Sequence, residues 1–144
     1  MLIPALVLNN CSDMIKFYQS AFDALELYRL TGLDGSIMHC EILIGENKIM
    51  VSDEMPSWNK SFQTLGGSPV VMVLEIPNVD EAYQKAIAAG AVSISAPADQ
   101  FHGDRTARIS DPNGFNWILS THIKDMTPQE MQTAMEEWMK NMPK

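Results

Sequence analysis

The sequence restates itself after 68 residues, and that repeat constrains the fold more than any other feature of the chain. Ile3 recurs as Val71, Leu6 as Leu74, Leu8 as Ile76, Asn10 as Asn78, Gly35 as Gly103, Ile49 as Trp117 and Ser52 as Ser120. Identities are few. What repeats is the order of elements: an apolar strand, a helix, a glycine turn and a final apolar strand, each in step with its counterpart. A chain written this way folds as two similar modules, with residues 68 apart in equivalent places.

With 144 residues, 46% apolar and 19% charged, the chain can bury one core of ordinary domain size. Its apolar opening, Met1 to Leu8, is short and has no basic leader, so it reads as a strand and not as a signal peptide. No run reaches bilayer-spanning length, and a cytoplasmic location is the expectation. Cys11 and Cys40 lack metal-type spacing and read as buried thiols instead of a disulfide. The ten basic residues are scattered singly against 18 acidic ones, a net charge of −8 that disfavours nucleic acid. Small molecules or protein partners remain.

Period and punctuation give the elements. Leu2 to Leu8 is an apolar strand; Cys11, Met14, Ile15 and Tyr18 then recur at helical spacing, with Ser12 as the N-cap. A strand through Leu30, a turn from Gly32 to Gly35, a strand Ile37 to Ile44, a turn at Gly45-Glu46-Asn47 and a strand Lys48 to Ser52 complete a βαβββ unit. Val70 to Ile76 opens the second unit, and Val79, Ala82, Tyr83 and Ala86 reproduce the apolar helix face before a stop at Gly90. Strands follow at Val92 to Ser95 and Arg105 to Ser110, and Asp111-Pro112-Asn113-Gly114 turns the chain into Phe115 to Thr121. The predicted fold class is α+β: two tandem βαβββ modules forming a curved mixed sheet around a cavity, plus a C-terminal amphipathic helix. One domain covers 1–123, with module one at 1–54, a crossover at 55–68 and module two at 69–123; the helix lies in 124–144.

The crossover carries Met55, Trp58, Phe62 and Leu65, so it is either a packed connection or a lid. Thr127-Pro128-Gln129-Glu130 is a capping box with proline at the first helical position, and Met131, Met135, Trp138 and Met142 form one stripe on the helix it starts. That stripe covers either core or a subunit interface, or it edges a ligand cavity.

The paired modules, the Ile15-Lys16-Phe17-Tyr18 helix, the Asn78-Val79-Asp80-Glu81-Ala82 helix start and the Asp111-Pro112-Asn113-Gly114 turn resemble the vicinal oxygen chelate superfamily, which includes glyoxalase I, bleomycin-resistance proteins and extradiol dioxygenases. Ile37-Met38-His39-Cys40-Glu41 and Asp99-Gln100-Phe101-His102-Gly103-Asp104-Arg105 are similar to its PhnB-like, glyoxalase-related branch. The resemblance covers about residues 1–123 and implies a homodimer, with modules meeting edge to edge within a chain or across two. It also implies one metal ligand from each of four strands, a His or Glu, at positions occupied here by Ile3, Met50, Val71 and Ile118. None of these offers an imidazole, thiolate or carboxylate, so no cofactor is expected, a relocated divalent metal being the alternative.

Alternation then assigns the cavity wall. If Ile118 points inward, as its counterparts do, Asn116, Ser120 and His122 share its face. A four-residue turn at 111–114 opposes Ser110 with Phe115 and sets Arg105 across from Ser120, facing the cavity. Subtracting 68 from Ala107 and Ile109 places His39 and Glu41 inward as well, beside Met50 and Ser52. His39 and Glu41 are an acid/base pair, half of a displaced metal site, or a structural ion pair. Arg105 clamps an anionic or carbonyl group, or pairs with Glu41 or Asp53. His102 and Trp58 are rim candidates, His122 a weaker one, and Asp53 and Glu54 read as solvated turn carboxylates, a metal role beside His39 being the alternative. Two functions follow: a small-molecule binding or sequestering protein without the usual metal centre, or a glyoxalase-related lyase or dioxygenase-type enzyme using His39 and Glu41. A purely structural or adaptor role has only the terminal Met/Trp stripe behind it.

Overall fold

The computed structural model describes residues 1–143. Module one runs β1 (Ala5–Leu8), α1 (Cys11–Phe22), β2 (Leu25–Thr31), β3 (Ile37–Ile44) and β4 (Asn47–Asp53). After a single helical turn, α2 (Phe62–Leu65), module two runs β5 (Met72–Glu75), α3 (Val79–Ala88), β6 (Val92–Asp99), β7 (Asp104–Ser110) and β8 (Asn116–His122), and α4 (Pro128–Lys140) closes the chain. Each module folds into its own four-stranded sheet, in the orders β1-β4-β3-β2 and β5-β8-β7-β6. In both, the first strand lies parallel to the last and the remaining pairs are antiparallel. The two tandem βαβββ modules and the C-terminal helix are those expected, the mixed sheet being made of two four-stranded halves whose helices α1 and α3 pack together.

Each sheet has a face covered by helices and an open face. On the covered face of the first, Leu8, Cys40, Ile42, Ile49 and Val51 are buried; on that of the second, Ala107, Ile109, Trp117 and Leu119 are. Helix α1 serves both. Its Cys11, Met14, Ile15 and Tyr18 are at most 2% exposed, while Tyr18 and Phe22 reach the Trp117 ring at centroid distances of 5.8 and 4.9 Å. Helix α3 buries only Val79 and Ala86.

One polar knot ties the modules. Asp111, 3% exposed, accepts the Tyr18 hydroxyl at 3.2 Å, the Trp117 indole N–H at 3.0 Å and the amides of Asn113 and Phe115 at 3.0 Å. Burial pushes its carboxyl up, and these donors oppose the shift. Asn113 exchanges hydrogen bonds with the Asn9 backbone across the junction.

Three local expectations are corrected. Helix α1 starts one residue before Ser12: Asn10, in the left-handed region, is its N-cap, and the Asp53 carboxylate receives the Cys11 amide at 2.8 Å. Asp53 also accepts the Ile37 amide at 2.7 Å, and Glu54 accepts the Ser61 amide at 2.8 Å, so these carboxylates are fixed acceptors and not solvated turn groups. The third concerns register. The Asp111 amide bonds the Phe115 carbonyl at 2.9 Å, which leaves a three-residue loop, Pro112 to Gly114, where module one spans its β3–β4 turn with Gly45 and Glu46 alone. The extra residue shifts β7 by one against the repeat: the buried partners are Cys40 with Ala107 (107 − 40 = 67) and Ile42 with Ile109 (109 − 42 = 67), while Ile49 with Trp117 keeps 68.

The crossover is packed at one point, where Phe62 meets Phe115 at 5.1 Å and Ser61 is fully buried. Both cysteines are free and fully buried. Desolvation, with Asp53 nearby, pushes the Cys11 thiol up to about 12. Helix α4 has the expected capping box but no buried residue; the Trp138 ring lies tilted to Phe101 at 5.4 Å, and of the stripe Met131 and Met135 are half-buried while Trp138 and Met142 are exposed. Among the described residues, no helix is long and apolar enough to cross a membrane.

Candidate functional site

Period two along each strand fixes which side chains reach the open faces. In module one, Glu41 pairs with Met50 and with Tyr28, and Leu30 with His39. By alternation Ser52, Leu43, Lys48 and the β1 residues Ala5 and Val7 lie on that face too. His39, Glu41, Met50 and Ser52 therefore share one surface. The centre of this surface is charged yet closed on itself. Glu41, 8% exposed, meets the Lys48 ammonium at 2.8 Å and His39 Nε2 at 3.7 Å, and Tyr28 lies 5.7 Å from the His39 ring. The Lys48 hydrogen bond, helped by Tyr28 and His39, holds the Glu41 carboxyl below its ordinary range. It is a neutralised carboxylate.

The second open face differs because of the register. Arg108 pairs with Ile118, Thr106 with Ser120, Ser110 with Asn116 and Asp104 with His122. Arg105 pairs with Thr121 instead of Ser120, which turns it away from the open face. It is engaged on the other side: Nε and Nη2 donate to the Asp80 carboxylate of α3 at 2.8 and 2.9 Å, and Nη1 donates to Asp99 at 2.9 Å. The predicted pairings of Arg105 with Glu41 or Asp53 do not form either. Asn116 and Ser120 do lie on the open face, and the residue that the four-residue turn concealed is Arg108. For His39 and Glu41 the one-residue slip in the offset and the one-residue slip in the turn cancel. Their equivalents are Thr106 and Arg108 (39 + 67 = 106, 41 + 67 = 108), not Ala107 and Ile109.

At one end of this face the imidazole of His122 bridges Asp104 (Nδ1, 2.9 Å) and Asp125 (Nε2, 2.7 Å). Those two carboxylates, Asp125 foremost, raise its pKa and favour the imidazolium. Asp104 also accepts the Ser120 hydroxyl at 3.2 Å and approaches His102 Nδ1 at 3.8 Å, and its carboxyl is lowered, chiefly by His122. A hollow of about 580 Å³ sits here, lined by Glu75, Pro77, Asp104, Ser120 and His122. Two further clefts, of about 510 and 840 Å³, flank β5 where it faces the β3–β4 turn. Trp58 is 70% exposed and joins none of them.

The four positions implied for metal ligands do not suit a divalent ion. Ile3, Met50, Val71 and Ile118 provide at most a thioether, and the residues paired with Met50 and Ile118 are Ala5 and Val73, so a slip of two positions supplies no donor either. Among the described residues, no cluster of three or more His, Cys, Asp and Glu is placed to hold a metal elsewhere.

Comparison with known proteins agrees with this architecture. The family model described as Glyoxalase/Bleomycin resistance protein/Dioxygenase superfamily matches residues 4–119. The chain belongs to this superfamily. It is 38% identical over 138 residues to an uncharacterized protein of Mycobacterium bovis, covering 93% of this chain and 91% of that one. The crystal structure of the At5g48480 product of Arabidopsis thaliana superposes with a TM-score of 0.69 at 26% identity, over 83% of this chain and 97% of the other. The fosfomycin resistance protein FosX of Mesorhizobium loti gives 0.62 at 15% identity, over 92% and 96%, a likeness of fold.

Proposed function

We propose that this glyoxalase/bleomycin resistance family member, of the PhnB-like branch, binds a small molecule non-covalently on its open sheet faces and does not use the four-ligand metal centre. The observation that carries the reading is the donor set: Ile3, Met50, Val71 and Ile118, like Ala5 and Val73 that pair with Met50 and Ile118 on the two sheets, are apolar where a metal would need imidazole or carboxylate. An apolar wall with a few placed polar groups, such as Met50, Leu43 and Tyr28 around the Glu41–Lys48 pair, is the composition of ligand sites. We assign the closure of the site to a homodimer. Strands β1 and β5 are each at a sheet edge, and Val73 on the latter and Val71 just before it are 60% and 39% exposed, so a second copy can complete both open faces.

Acid/base catalysis by His39 and Glu41 is less well supported. A catalytic carboxyl working near neutrality needs a raised pKa, and Lys48 moves that of Glu41 the other way. The test is reconstitution with Ni²⁺, Zn²⁺ or Fe²⁺, gel filtration and elemental analysis, alongside fluorescence titration with the neutral apolar probe N-phenyl-1-naphthylamine. The expected result is far less than one ion per chain and probe binding indifferent to chelators. About one ion per chain, with binding that chelators abolish, would overturn the reading.

A further inference from the structure

The chain has three arginines, Arg29, Arg105 and Arg108. Arg29 is bound to Glu26 and Arg105 to Asp80 and Asp99. Arg108 has no ion pair and no side-chain hydrogen bond among the described residues, although carboxylates outnumber basic groups 18 to 10. It stands on β7, an interior strand, exposed on the open face between Ile118 of β8 and Ser95 of β6. Directly paired side chains lie about 5 Å apart and diagonal ones about 7 Å, so Asn116 and Ser110 fall within the sweep of its guanidinium. Neither of these two has a side-chain hydrogen bond among the described residues.

The repeat shows that this is a departure from the module's own pattern. Arg108 is the equivalent of Glu41, and the equivalent of Lys48, which neutralises Glu41, is Asn116 (48 + 68 = 116). Module one supplies the counter-charge; module two puts a neutral amide there and leaves the guanidinium open. A guanidinium beside an amide and a hydroxyl, next to the apolar Ile118 and Val73, is fitted to a planar or tetrahedral oxyanion joined to an apolar body.

We infer that the ligand carries a carboxylate, phosphate or sulfonate group, and that Arg108, assisted by Asn116 and Ser110, receives it on the open face of the second sheet. The inference rests on the small-molecule reading above and adds the ligand's charge to it. A chain of net charge −8 repels anions at long range, so any preference for one requires a local cation.

Two fluorescent probes with the same ring system separate the claims: 8-anilinonaphthalene-1-sulfonate carries the anion, and N-phenyl-1-naphthylamine lacks it. The full-length protein should bind the sulfonate about tenfold more tightly than the neutral probe, the scale of one charge-assisted contact. Arg108→Gln should erase that preference, bringing sulfonate affinity down to that of the neutral probe, and Arg108→Lys should retain part of it. Asn116→Asp, which installs the counter-charge at the position Lys48 holds in module one, should abolish the preference with Arg108 still present. Equal binding of the two probes by wild type, or a sulfonate preference that survives Arg108→Gln, would overturn the anion subsite and leave the small-molecule reading standing. Failure of both probes to bind would remove that reading and this one together.

Discussion

Glu41 and Arg108 occupy equivalent places in the two modules and have opposite fates. The carboxylate is matched by Lys48 at 2.8 Å and is 8% exposed, whereas the guanidinium faces Asn116 and remains exposed. A duplicated scaffold thus keeps its covered faces apolar in both halves and varies its open faces. A packed core tolerates little change in volume or polarity, while an open face is held to neither constraint. The covered faces differ too, because α1 packs on β3 and β4 and reaches Trp117 of the second sheet with Tyr18 and Phe22, while α3 packs on β6, β7 and β8. Chemistry that the halves do not share is the place to look for function, and what they do share is the place to look for stability.

The largest effect is expected where the modules join. Asp111→Ala strands the Tyr18 hydroxyl and the Trp117 indole N–H in the core and should cost about 3 kcal/mol in urea unfolding. A cost below about 1 kcal/mol would mean that the modules hold together without this knot. The two repeat glycines give a second contrast. Gly35 and Gly103 both have positive φ, 86° and 97°, but a Cβ on Gly35 meets nothing within 4 Å, while one on Gly103 would lie 2.3 Å from the Lys124 carbonyl oxygen. Gly35→Ala should therefore cost about 1 kcal/mol, the strain of left-handed alanine, and Gly103→Ala about 3 kcal/mol or more because backbone must move. Equal costs in thermal melts would show that the segment after β8 is not held against Gly103.

Smaller effects separate the two polar clusters by pH. Glu41 has a lowered carboxyl, so its contribution is present above the ordinary value of 4.5 and is lost as pH falls through its lower folded value. His122 is raised, so its contribution is complete below the ordinary 6.5 and is lost as pH rises through its higher folded value. Melting temperature should fall at the acid end in wild type but less steeply in Glu41→Gln, and the decline above neutrality should flatten in His122→Gln. Indistinguishable pH profiles for wild type and both variants would contradict the two assignments.

Much of the fold was legible because strands and helices write their period into the sequence: Leu6 with Leu8, Ile49 with Val51 and Tyr18 with Met14 announce faces by spacing alone. The open face of module one was legible for a weaker reason, since two slips of one residue cancelled for His39 and Glu41. Arg108 was not legible. Whether Arg105 or Arg108 reaches the open face depends on whether Asp111 to Gly114 makes a four-residue turn or a three-residue loop closed on Phe115, and one residue of register turns a whole strand over. The capping of α1 by Asp53 was equally hidden, because the helix and its acceptor lie 42 residues apart and meet only in the folded sheet. Long-range partners such as Lys85 for Asp23 and Asp80 for Arg105 leave no trace in local patterning.

The central claim is that ligand sits on the open faces and not among the helices. Amide chemical-shift mapping by ¹H–¹⁵N correlation spectroscopy, with N-phenyl-1-naphthylamine titrated into labelled protein, tests this most directly. Shifts should concentrate at Glu41, Met50, Ser52 and Ile118 and their neighbours on β3, β4 and β8, with α1 and α3 unmoved. Shifts confined to the clefts around Phe22, Leu74 and Ala82, on the helical side of β5, would contradict the account.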